Sequence, residues 1–148
     1  MINTVRKFKI VSELTGQYCL VDSVKCSSDL FNSFQCIHEK FGNDHQEHFY
    51  IFFLNRANKI TGFYLLSIGG ITSTVVDVRL ILRAALLADC CNIAICHNHP
   101  SGNIEPSKSD LEVTDKIKRA AQFFDLRLID HIILGEDKYY SFADNGIV

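Results

Sequence analysis

Apolar residues are densest from Glu47 to Leu54 (E-H-F-Y-I-F-F-L), where they fall on both alternating faces, the pattern of a central strand covered on both sides. Asn55-Arg56-Ala57-Asn58 reads as a turn, and Lys59 to Ile68 as the antiparallel return strand, ending at Gly69-Gly70. A second apolar run, Asn92 to Cys96, predicts another buried strand. Leu126 to Leu134, turned at Gly135-Glu136-Asp137, predicts a closing hairpin with Tyr139 to Phe142. Helical spacing appears three times between these runs. After Ser27-Ser28-Asp29, a plausible cap region, the stretch Leu30 to Glu39 carries Leu30, Phe34 and Ile37 on one side. Val78 to Cys90 is almost wholly apolar and predicts a buried helix. The helix after Ser107 places Val113, Ile117, Ala120, Ala121 and Phe124 on one face, with Glu112–Lys116 and Asp115–Arg119 spaced as i,i+4 pairs outside. Residues 1 to about 24 predict one or two short strands with a turn at Gly16, and Ser73 to Asp77 a further short one. Two hairpins and a strand–helix–strand unit give an α/β fold, a mixed sheet flanked by helices on both faces.

At 148 residues the chain fits one domain with a real core, and 47% apolar against 22% charged residues is ordinary for a globular protein. A net charge of −2 lacks the basic footprint of a strong nucleic-acid binder, so DNA is a weakly supported partner. No stretch is long and apolar enough to span a bilayer, and Met1 to Lys7 lacks an apolar signal region, which predicts a cytoplasmic protein. The six cysteines show no C-x-x-C spacing and are expected to be reduced, mostly buried thiols.

The chemistry gathers between His97 and Asp110, reading H-N-H-P-S-G-N-I-E-P-S-K-S-D. In an extended chain residues i and i+2 share a side, so His97 and His99 aim at one point while Asn98 faces away. Pro100, without an N–H, stops the strand. Ser107 fits a helix N-cap with Asp110 at N3, close to a capping box. Two imidazoles and one carboxylate form a reasonable facial set for zinc, leaving a tetrahedral position open as catalytic sites do. A hydrolytic zinc site also needs a carboxylate to carry the proton. Spacing leaves Glu39, Glu47, Glu105 and Glu112 all open, with Glu47 notable for opening the most buried strand. Ser107 is a candidate donor to an oxyanion as well as a cap. Arg79 and Arg83, four apart, read first as a solvated stripe and second as a clamp for an anionic substrate group. The H-x-E and P-C-x-x-C words of zinc deaminases are absent.

H-x-H, seven residues, S, two residues, D, with a glutamate well upstream, resembles the JAB/JAMM (MPN-plus) zinc metalloprotease motif. H-N-H-P-S-G-N-I-E-P-S, the Asp130-His131 pair and the Tyr140-Ser141-Phe142 ending resemble the RadC family of bacterial JAB-domain proteins, over roughly residues 27 to 148. The resemblance implies a cytidine-deaminase-like α/β/α sandwich over 27–148, with 1–26 as an N-terminal extension packed on it that has no room for the helix-hairpin-helix segment of longer members. It assigns His97, His99 and Asp110 as zinc ligands, Glu47, ahead of Leu54-Asn55, as acid/base, and Ser107 as oxyanion helper. It implies a zinc-dependent metallopeptidase acting on a peptide or protein substrate, the alternative being a DNA-repair or mobile-element accessory protein without turnover. Val78 stands where the family usually has proline, and Gly69-Gly70 where it has glycine-threonine.

Overall fold

The computed structural model describes residues 20–69 and 76–148. Three helices, α1 (Ser27–Phe41), α2 (Val78–Leu87) and α3 (Lys108–Gln122), pack on a five-stranded sheet. Its strands are β1 (His48–Leu54), β2 (Ile60–Ile68), β3 (Asn92–Asn98), β4 (Arg127–Leu134) and β5 (Tyr139–Ser141). They lie in the order β2-β1-β3-β4-β5. Only β3 and β4 pair in parallel, with α3 as their crossover; the other neighbours are antiparallel.

The dense apolar run becomes β1, buried at every position and paired on both edges. Its two faces serve two cores. Phe49, Ile51 and Phe53 join Ile81, Ala85, Ile117 and Ala121 beneath α2 and α3. Tyr50, Phe52 and Leu54 join Leu30, Phe34 and Ile37 of α1 on the opposite side. Phe34 and Phe52 stack with ring centroids 4.0 Å apart. The α/β/α sandwich expected from the alternation and the resemblance is what the chain forms.

Several elements differ from the pattern's expectation. The helix from Val78 ends at Leu87, three residues short of Cys90, because Ala88 caps it and Asp89 takes a positive φ of 49° that no continuing α-helix accommodates. It is also half-exposed rather than buried, since Leu86 and Leu87 face solvent while Val78, Ile81 and Ala85 face the core. Phe124 lies beyond α3 and is half exposed, and the buried stripe of α3 runs through Asp110, Thr114, Ile117 and Ala121. Glu112 pairs with Lys108 at 3.6 Å, while Asp115 pairs with Arg119 as expected. Val76 and Asp77 are not in a strand; Asp77 caps α2, its carboxylate accepting the Arg79 N–H at 3.0 Å. The remainder of that predicted strand, and the predicted strands before residue 20, lie outside the described residues.

Candidate metal centre

Three elements deliver side chains to the carboxyl end of β3. His97 faces the α2/α3 side, its ring stacked on Phe49 of the neighbouring strand at 5.9 Å. The strand ends at Asn98, whose side chain turns to the other side, accepts the His48 N–H at 2.8 Å and donates to the Gln46 carbonyl at 3.0 Å. Beyond it His99, Pro100, Ser101 and Gly102 make a turn closed by the Gly102 N–H on the His99 carbonyl at 2.9 Å. Gly102 sits at φ 71°, where a side chain would be strained. The turn brings the Asn103 carbonyl back to His99 Nδ1 at 2.6 Å. A carbonyl only accepts, so His99 carries its hydrogen on Nδ1 and aims Nε2 inward.

Asp110 arrives on α3 through the capping box that the spacing predicts. The Ser107 oxygen accepts the Asp110 N–H at 3.2 Å, and Asp110 Oδ2 accepts the Ser107 N–H at 2.7 Å. The Ser107 hydroxyl also donates to Oδ2 at 2.6 Å. Cap and tether are therefore one device: it starts the helix and fixes the carboxylate. Asp110 Oδ1 stands 3.3 Å from His97 Nε2, and Oδ2 stands 3.5 Å from His99 Nε2. One ligand atom from each of His97, His99 and Asp110 lies within 4.8 Å of the others, and this is the metal-capable group among the described residues.

The donor set suits a divalent cation. The two Nε2 atoms face one another at 2.9 Å with the carboxylate beside them. Such a convergence of nitrogen and carboxylate electron pairs is held together by a hydrogen or a metal ion between them. The surroundings of the three side chains act in the same direction. Burial pushes the Asp110 carboxyl up, but its hydrogen bond to His99, the charge of His97 and the bonds from Ser107 outweigh burial and hold it well below the usual carboxylate range. The Asp110 hydrogen bond pushes His99 above the usual imidazole value against the effect of burial, helped by the Asn103 carbonyl and by the charges of Asp110 and Glu47. Burial pulls His97 down to about 4, so its ring is neutral and ready to coordinate at neutral pH.

Glu47 lies just before β1 and is partly buried. Phe49 pairs with His97, and continuing that antiparallel register by two residues sets Glu47 across from His99. Alternation gives it the same side of the sheet as Phe49 and His97. Its backbone carbonyl is fixed by the Gly69 N–H at 2.8 Å. The other candidate carboxylates are exposed: Glu39 in the last turn of α1, Glu105 in the loop, and Glu112 on α3 beside Lys108. Arg79 and Arg83 are exposed on α2, and Arg79 forms an ion pair with Asp77 at 2.6 Å, so the solvated-stripe reading describes them. A cleft of about 380 Å³ opens beside His99, walled by Gln35 and Glu39 of α1, Pro100 and Gly102, and Gly135 and Glu136 of the β4–β5 turn.

Two residues beside the site carry no spacing signal. His131 of β4 is fully buried, with Nε2 2.8 Å from His97 Nδ1 and its ring stacked on Phe142 at 4.4 Å. Thr114 of α3, also fully buried, places Oγ1 2.7 Å from His131 Nδ1. Period-two alternation would put Leu128 and His131 on opposite faces. An irregularity between the Ile93–Leu128 and Ala94–Asp130 pairs skips Ile129 and turns both toward α2 and α3. The Asp130-His131 pair thus divides its work across the sheet. Asp130 accepts from the Ser141 hydroxyl at 2.7 Å and from the Ala143 N–H at 3.0 Å, pinning the segment after β4, while His131 faces the centre.

A family model described as the RadC-like JAB domain matches residues 25–147. The chain belongs to the RadC family. Among curated relatives of this RadC-like chain, a UPF0758 protein of Flavobacterium johnsoniae is 43% identical over 124 residues, 84% of this chain and 53% of the relative. A UPF0758 protein of Porphyromonas gingivalis is 41% identical over 104 residues, 70% of this chain and 46% of the relative. One from Pasteurella multocida is 38% identical over 106 residues, 72% and 47% respectively. The chain therefore spans about half the length of the curated relatives it matches, and their names state no activity. Among the described residues of this JAB domain, no helix is long and apolar enough to cross a membrane.

Proposed function

We propose that this RadC-like JAB domain is a zinc-dependent metallopeptidase that hydrolyses an amide or isopeptide bond in a peptide or protein substrate. The observation that carries the reading is the convergence of His97 Nε2, His99 Nε2 and the Asp110 carboxylate on one point at the end of β3. Three such protein ligands leave a position open, as catalytic zinc sites do and structural ones do not. A bound zinc ion supplies Lewis acidity, polarising a carbonyl oxygen and lowering the pKa of water toward about 7.

The chain's own groups supply the rest. Glu47, on the site's side of the sheet and across from His99 by register, takes the proton of the attacking water and returns it to the leaving amine. Ser107 orients Asp110 through two hydrogen bonds, and its hydroxyl, when turned from Oδ2, is the donor available to a tetrahedral oxyanion.

The test pairs binding with turnover. Zinc-loaded protein is assayed against peptide and isopeptide libraries alongside Glu47→Gln, which keeps the shape and discards the base. The reading expects the variant to bind zinc like the parent while turnover falls by about 10²–10⁴-fold. Turnover that survives Glu47→Gln unchanged contradicts it.

A further inference from the structure

Resting on the metal reading of His97 and His99, we propose that Thr114 and His131 form a positioning chain that fixes which nitrogen of His97 carries hydrogen and so presents its Nε2 lone pair to the ion. The polarity of the chain follows from its far end. The Thr114 hydroxyl lies 2.5 Å from the Asp110 backbone carbonyl, one helical turn earlier, and 2.7 Å from His131 Nδ1. A carbonyl can only accept. Two oxygens that close need a hydrogen between them, so the hydroxyl hydrogen points at the Asp110 carbonyl. The Thr114 oxygen is then left to accept, and His131 Nδ1 must be the donor.

One choice sets the next. Both rings are fully buried, and burial disfavours the charged imidazolium, so each has one N–H and one lone pair. His131 with hydrogen on Nδ1 has a lone pair on Nε2, 2.8 Å from His97 Nδ1. His97 therefore donates from Nδ1, and its Nε2 lone pair points toward His99 Nε2 and Asp110 Oδ1. A single hydroxyl thus decides the tautomer of a ring two hydrogen bonds away. The chain also begins and ends at the same site, because it is anchored on the backbone of Asp110, whose carboxylate meets His97 Nε2 at 3.3 Å. The ligating imidazole and the ligating carboxylate are held in register by one connected set of bonds. Partners of this kind commonly change metal affinity by about 10–100-fold when removed.

Thr114→Val keeps the side-chain shape but discards the acceptor. His131 Nδ1–H would then face a methyl group, so His131 moves its hydrogen to Nε2 and donates to His97 Nδ1. His97 in turn carries its hydrogen on Nε2, in the place the ion would occupy. Two readouts test this on the full chain. Long-range ¹H–¹⁵N correlation of histidine-labelled, metal-free protein reports the protonated nitrogen of each ring, and chelator competition reports zinc affinity. The proposal expects His97 and His131 to carry hydrogen on Nδ1 in the parent and in Thr114→Ser, which keeps the hydroxyl. In Thr114→Val it expects both to shift to Nε2, with zinc affinity lower by about tenfold or more. A parent His97 protonated on Nε2, or a Thr114→Val protein with unchanged tautomers and affinity, overturns it. A parent that takes up no zinc defeats the metal reading alone, since the nitrogen spectrum of the parent and Thr114→Ser still decides the tautomer.

Discussion

At the scale of single residues the site is a set of opposed proton preferences. His97 is pulled down to about 4 by burial, while the hydrogen bond to Asp110 pushes its neighbour His99 above the usual value. Coordination needs both rings neutral, so protons and metal compete. The sign and window follow from those directions. As pH falls, zinc affinity begins to weaken at the raised value of His99, dropping about tenfold per pH unit for the one proton displaced. The slope steepens only on approach to about pH 4, where His97 also takes a proton. Zinc titrations from pH 8 to pH 4.5 check this, and two-proton steepness from pH 6.5 downward would contradict it. Much of this cluster was legible from spacing. The i, i+2 rule brings His97 and His99 together, and the capping box places Asp110. Glu47 was not separable from three other glutamates by spacing, because its place opposite His99 depends on a strand pairing between segments some fifty residues apart; only the family resemblance singled it out.

At the scale of elements, α3 does two jobs with its first turn. Its N-cap bonds satisfy the helix's free N–H groups and also tether the carboxylate that closes the site. Ser107→Ala should therefore cost about 1 kcal/mol of stability. It should also weaken zinc binding several-fold, as Asp110 loses the hydroxyl bond to Oδ2. Denaturant unfolding and chelator competition on the same samples check the two effects, and a stability loss with unchanged affinity would separate cap from tether. The strands show where pattern reading reaches its limit. The doubly apolar face of β1 announced two cores, and two cores formed. The skipped residue in β4 left no trace in alternation, so His131 could not be assigned to the His97 side from sequence. The end of α2 escapes the apolar pattern for a related reason. Apolar residues continue past Leu87, but Asp89 adopts a left-handed turn that composition does not reveal.

At the scale of the whole molecule, the sandwich places polar groups where a core would otherwise be. His97, His131 and Thr114 are fully buried between the sheet and α3. Burial drives both imidazoles below their usual value, so each contributes stability that is fully present above about pH 6.5, the unfolded value, and is lost as pH falls. His99 is raised and works in the opposite direction, adding stability below its own value. That gain is complete by about pH 6.5 and constant below it, so between pH 6.5 and about 4 the two losses act alone. The metal-free protein should therefore become easier to unfold across that window, at up to about 1.4 kcal/mol per pH unit for each buried ring. Urea midpoints measured every half unit check this, and a midpoint that rises on acidification would contradict it. The central claim is that His97, His99 and Asp110 together hold one metal ion, and the most direct measurement is the zinc content of purified, dialysed protein. The account predicts one zinc per chain in the parent and in Glu47→Gln, and almost none in His97→Ala or Asp110→Ala. Equal zinc in the parent and in both ligand variants would contradict it.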